Sequence, residues 1–158
     1  MTLYGAPGPT LEILLEDPEE HDFASATTLL GNLSSEDAVR RPAGAPHSIA
    51  EIVAHLLSNA RFNLALFDAT DPASVRPPLA DWPEVTAADW PQLRQEYFDT
   101  LATLQRLACN EIEHARIVFP ATDNEPAWTV GYKLTCSVAK HAAYHMGQIA
   151  LLRQLSQQ

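Results

Sequence analysis

Apolar residues return every three or four positions in four stretches of the chain, and each such stretch predicts a helix with one buried face. The clearest is the second, where Ile49, Ile52, Val53, Leu56, Leu57, Ala60, Leu64 and Phe67 share one side. Ser48 and Glu51 stand at its start in the spacing of a capping box, the serine accepting from the third backbone amide while the glutamate reaches back. A third stripe, Leu93, Tyr97, Leu101, Leu104 and Leu107 or Ala108, follows Thr86 or Asp89 as cap and carries Trp90-Pro91 in its first turns. A fourth, Val130, Leu134, Val138, Ile149 and Leu152, follows Thr129 as cap and runs to about Leu155.

The first stripe is less regular. Thr10 caps Leu11 to Glu16, and Asp17-Pro18-Glu19-Glu20 then reads as a fresh start with acids against the positive helix end. Pro18 therefore means either a kink or two helices end to end. Phe23, Ala26, Thr27, Leu30 and Leu33 keep helical spacing until Gly31 to Ser34 loosens it, and His21, among acids, is expected to be solvated.

Between these stretches lie segments that cannot stay helical. Ser35 to Val39 makes one short turn, and Arg40 to Pro46 is a connector broken by Pro42, Gly44 and Pro46. Ala69 to Val85 holds Asp71-Pro72, Pro77-Pro78 and Asp81-Trp82-Pro83, a long loop of the kind that walls or lids a site. Arg116 to Phe119 reads as a short extended piece before the turn-rich Pro120 to Pro126, with no convincing strand partner. Four helices, no repeats and loops of intermediate length predict an all-α protein, an antiparallel four-helix bundle in one domain over residues 1–158.

Length and composition agree with a single core. The chain has 158 residues and 46% hydrophobic content, ordinary for a globular domain. No apolar run approaches the roughly 20 residues that span a bilayer. The start, Met1 to Pro7, lacks the basic and apolar regions of a secretory signal, so a cytoplasmic location is expected. The formal net charge of −10 repels phosphate backbones and anionic lipids, which argues against nucleic-acid and membrane-surface roles. Cys109 and Cys136 lack any zinc or redox spacing and are expected to be small buried hydrophobes, not a disulfide.

Chemistry enters on the fourth stripe. His141 and His145 are four apart, one helical turn, and fall in the middle of the apolar face instead of on the wet side. Imidazoles there need partners, because an unpaired buried polar group costs about 1–3 kcal/mol. A divalent metal would satisfy both; so would glutamine, serine, tyrosine or carbonyl neighbours. Ala142 stands where a zinc protease of the HExxH type has its glutamate, which removes that reading. A third ligand must come from elsewhere, and His55, at the edge of the second stripe beside Asn59 and Phe62, is the candidate.

The segments Pro42 to Leu56, Trp128-Thr129-Val130-Gly131 and His141-Ala142-Ala143-Tyr144-His145-Met146-Gly147-Gln148-Ile149 together resemble the DinB-like, YfiT-related family. The resemblance implies a four-helix bundle, commonly a homodimer, with a divalent metal on one histidine of the second helix and an HxxxH pair of the fourth. Carried over, the ligands are His55, His141 and His145. Met146 departs from the basic residue that many members carry there, on a side away from the ligands.

Three neutral imidazoles suit zinc or nickel, and also iron, cobalt or manganese. Three protein ligands leave positions open for water and substrate, as in catalytic sites. The expected activity is metal-dependent hydrolysis, or transfer of a low-molecular-weight thiol to a small-molecule electrophile. The alternative is a non-catalytic, metal-stabilised dimer or small-molecule binding module. Glu51, one turn before His55, can orient that ring, take a proton or simply serve its cap. Gln148, Ser137 and Asn59 are candidate partners of the rings; His47 is expected to be a surface histidine of the capping region before a residue of the mouth, Trp82 and Trp90 are either pocket wall or packing, and Tyr144 is either site or core.

Overall fold

The structure is a computed structural model that describes residues 7–16 and 24–156. Four helical elements form a ring. Helix α1 (Pro7–Leu15) packs on α5 (Trp90–Ala108), α5 on α4 (Ile49–Asp68), and α4 on α8 (Lys140–Leu155), which returns to α1. The bundle interior is one cluster of buried side chains, with Leu30, Ile49, Val53, Trp90, Val130, Leu134 and Ile149 at its centre. Short helices α2 (Ala26–Leu30) and α3 (Ser35–Val39) lead into α4, and α6 (Glu111–His114) follows α5. No helix among the described residues is long and apolar enough to cross a membrane.

The local signals act as the sequence predicts for the second stripe. Ser48 Oγ accepts from the Glu51 amide while the Glu51 carboxylate accepts from the Ser48 amide, a complete capping box. The connector before it turns at Pro42–Ala45, closed by Ala45 N to Pro42 O at 3.0 Å. Gly44 sits at φ 82°, which the third position of a type II turn demands and which a side chain resists. On α4, Leu64 is only half-buried, and Asn63 and Leu66 take inward places instead.

Several expectations are corrected. Helix α1 begins at Pro7, so Thr10 lies inside it and does not cap it. Asp89 makes no side-chain cap on α5; its carboxylate accepts from the backbone and hydroxyl of Thr86 instead. The extended piece does find a partner: β1 (Ile117–Phe119) pairs antiparallel with β2 (Trp128–Thr129) across the Pro120–Pro126 turn. Cys109 and Cys136 are free and exposed, not buried. Pro18, His21 and Phe23 lie outside the described residues.

The last helix is not uniform. Thr129 caps α7 (Val130–Lys133) through its hydroxyl, and the chain then runs through a π-helical segment, Leu134–Ala139, into α8 without a break. The widening is seen directly in the bond from Lys140 N to Thr135 O, five residues back. Gly131 lets α7 come close to α6, since a Cβ there would stand 3.1 Å from His114 Cβ.

Candidate metal centre

Helix α4 presents His55 and helix α8 presents His141 and His145, and the ring meets at these three side chains. His55 Nε2 and His145 Nε2 each lie 3.0 Å from His141 Nε2. His55 is 9% exposed and His145 5%, with His141 half-buried between them. Helical spacing explains the pair on α8; the packing of α4 against α8 brings the third ring in from 86 residues away.

Two of the rings are held by their far nitrogens. His55 Nδ1 faces the Asp81 carbonyl oxygen at 2.8 Å and the Asp81 carboxylate at 3.2 Å, so this nitrogen carries the proton. His145 Nδ1 donates to Gln148 Oε1 at 2.7 Å, and Gln148 Nε2 in turn donates to the Tyr144 hydroxyl at 3.1 Å. With the far nitrogens so tied, the Nε2 atoms of both rings face His141. A neutral His141 has one proton to offer two acceptors, and its own Nδ1 is buried with no hydrogen-bond partner among the described residues. The cluster therefore holds more acceptors than donors, and a cation at the meeting point removes the deficit.

The three nitrogens lie within 4.8 Å of one another, and the two 3.0 Å spacings to His141 fit such an ion. With metal–nitrogen bonds of about 2.1 Å, imidazole nitrogens stand roughly 3.0–3.4 Å apart for bond angles between about 90° and 109°. The protonation state fits too, since ligation requires neutral rings. Burial first, then the neighbouring His145 and His55, pushes the His141 pKa down to about 4, against a weaker opposing pull from Asp81. His145 is also lowered, chiefly by burial.

The loop supplies a wall. Trp82 lies stacked on His55, with ring centroids 4.2 Å apart and planes 12° apart, and stacked on His47 on its other face at 3.7 Å. Trp82 thus walls the site, whereas Trp90 is core, its indole N–H donating to Leu33 O at 3.2 Å. His47 comes to the mouth through that stack, and Tyr144 is exposed at the rim.

The other candidates are placed elsewhere. Glu51 is 7% exposed and spends both carboxylate oxygens on its cap and on Arg41. Burial alone pushes its carboxyl up, but Arg41 and Ser48 outweigh that and hold it below the ordinary value. Asn59 lines the smaller cleft with His55 but bonds Asn63, whose Nδ2 donates to its backbone carbonyl at 2.9 Å and to its side-chain Oδ1 at 3.4 Å. Ser137 lies in the π segment and makes no hydrogen bond to the imidazoles among the described residues. Asp81 was the partner that periodicity could not reveal, being 26 residues from His55 in an aperiodic loop. The only sequence signal was its place beside Trp82-Pro83 in a segment already marked as a site wall.

Two clefts open at the centre. One, of about 570 Å³, reaches His145, Gln148 and Trp82; the other, of about 230 Å³, reaches His55 and Asp81 beside Asn59 and Phe62. A family model described as the DinB superfamily matches residues 20–149. Comparisons with curated proteins and with solved structures give no match.

Proposed function

The chain belongs to the DinB superfamily, a family of metal-binding helical proteins, and from that premise we propose a divalent-metal-dependent enzyme acting on a small molecule. The observation that carries the reading is the convergence of three imidazole nitrogens with two of the rings fixed from behind and an open cleft in front. His55, His141 and His145 hold the ion, with zinc or nickel the best match to an all-imidazole set. A bound ion supplies positive charge that ionises a coordinated thiol or water near neutral pH.

Of the two reactions that suit such a site, transfer of a small thiol to an electrophile is favoured over hydrolysis. Water attack is commonly assisted by a free carboxylate, and here Glu51 is tied to Arg41 and Ser48 while Asp81 orients His55. A coordinated thiol gives its proton to solvent, and the thiolate then attacks the electrophile and displaces its leaving group with no further proton for a side chain to remove. The residues then act by position. Asp81 and Gln148 fix the ring planes, Trp82 keeps water from one side of His55, and the Tyr144 hydroxyl stands at the rim beside Gln148.

The test is metal analysis of protein purified without an affinity tag, with turnover measured on thiol–electrophile, ester and amide panels. Wild type should retain about one divalent ion per chain and show metal-dependent thiol transfer; His145→Ala should lose both. Equal metal content in the two proteins would refute the ligand assignment. Metal-dependent ester or amide cleavage without thiol transfer would overturn the choice of reaction.

A further inference from the structure

The larger cleft has two unlike ends. Toward the histidines it is lined by His47, Trp82, Tyr144, His145 and Gln148, all of which offer polar atoms. Further along α8 it is lined by Leu151, Leu152 and Leu155, and its other lining includes the apolar Ile52, Ala45 and Pro46. Among the described residues no Asp, Glu, Lys or Arg lines it. From His145 to Leu155 along α8 is about 15 Å at 1.5 Å per residue, so the cleft is elongated, and its last stretch of about 6 Å, Leu151 to Leu155, is apolar. Leu151 and Leu155 are 55% and 44% exposed, large apolar side chains that face the cleft and solvent together.

We propose that this cleft is the substrate site, and that it selects an uncharged molecule whose polar reacting end meets His145 while an apolar tail lies along α8 toward Leu155. The volume, about 570 Å³, is that of a small-ligand site. A charged tail would lose its water with no partner to replace it, and an anionic one would also face a chain of net charge −10. The chemistry of the reacting end rests on the metal reading above; the selection of the tail does not.

The probe pair N-phenyl-1-naphthylamine and 8-anilinonaphthalene-1-sulfonate shares one apolar body and differs by a sulfonate. Fluorescence titration of metal-free protein should show the neutral probe binding at least tenfold more tightly than the sulfonate. Leu151→Asp with Leu155→Asp should weaken the neutral probe at least tenfold, while Ile112→Asp, on the exposed α6, should leave it unchanged. Cobalt, and not zinc, should then broaden the proton resonances of the bound probe.

Equal affinity for the two probes, unchanged binding in the doubly substituted protein, or no broadening in cobalt-loaded protein would each overturn the proposal. So would a wild-type dimer that the double substitution dissociates and that binds the probe only as monomer, since a second copy would then fill the cleft. Protein that takes up no cobalt yet keeps the probe preference and its loss in the double variant would defeat the metal reading alone.

Discussion

Acidification of the metal-free protein should weaken the fold in a window set by His141. Its ordinary value is 6.5 and the folded value is about 4, because burial and the two neighbouring rings disfavour the imidazolium. Between these values the unfolded chain binds a proton that the native chain refuses, so stability is full above pH 6.5 and falls as the pH drops toward 4. The gap is equivalent to about 3 kcal/mol at full value, and access of water to a half-buried ring reduces it to about 1–2 kcal/mol. His145 is lowered in the same direction and adds to the slope. Lowered carboxylates such as Glu51 and Glu96 act in a separate range, their contribution fading as the pH falls below about 4.5. Urea unfolding of chelator-treated protein from pH 7.5 to 4.5 measures the effect, with His141→Gln as the control that should flatten most of it. An equal slope in both proteins would refute the argument that the cluster is held neutral at a cost.

Gln148→Leu removes the acceptor behind His145 and should weaken metal binding about 10- to 100-fold with little loss of fold, read by competition with a chromogenic chelator. Glu51→Ala breaks the capping box and the Arg41 pair, and should lower stability by about 1–2 kcal/mol, a fall of roughly 3–6 °C in Tm for a chain of this size. Metal-dependent turnover per folded molecule should survive that change; a loss of a hundredfold or more would make Glu51 a proton carrier. Both cysteines should react with a maleimide in the native protein without prior unfolding, as mass spectrometry would show; protection of either one would contradict its exposure.

What the sequence disclosed was whatever acts over a few residues or repeats with the helix. The Ser48–Glu51 box, the Thr129 cap and the face shared by His141 and His145 are all local, and the structure holds each of them. The third ring followed from a stripe edge on α4 together with the family resemblance. The partners that fix these rings were mixed in character. Gln148 is three residues from His145 and was legible; Asp81 reaches His55 through a loop with no period and was not. Ser137 failed for a related reason, because the wide turn at Leu134–Ala139 breaks the regular spacing that placed it on the histidine stripe. The cysteines show the limit of residue-type preference: Cys109 lies just past the end of α5 and Cys136 on an outward position of the π segment, and both are exposed.

The wide turn also has a consequence for how this helix tolerates change in length. A π segment accommodates about one residue more than regular α-helix would between the same two packed ends, Leu134 and His145 here. Loss of a single residue between Thr135 and Ala139 can therefore be absorbed by tightening the coil, with Val130 upstream and the histidines downstream left where they are. The same loss after His145 would swing every later side chain by about 100° and turn Ile149 and Leu152 out of the core. The helix thus carries its slack in one place, a single turn ahead of the residues that can least afford to rotate.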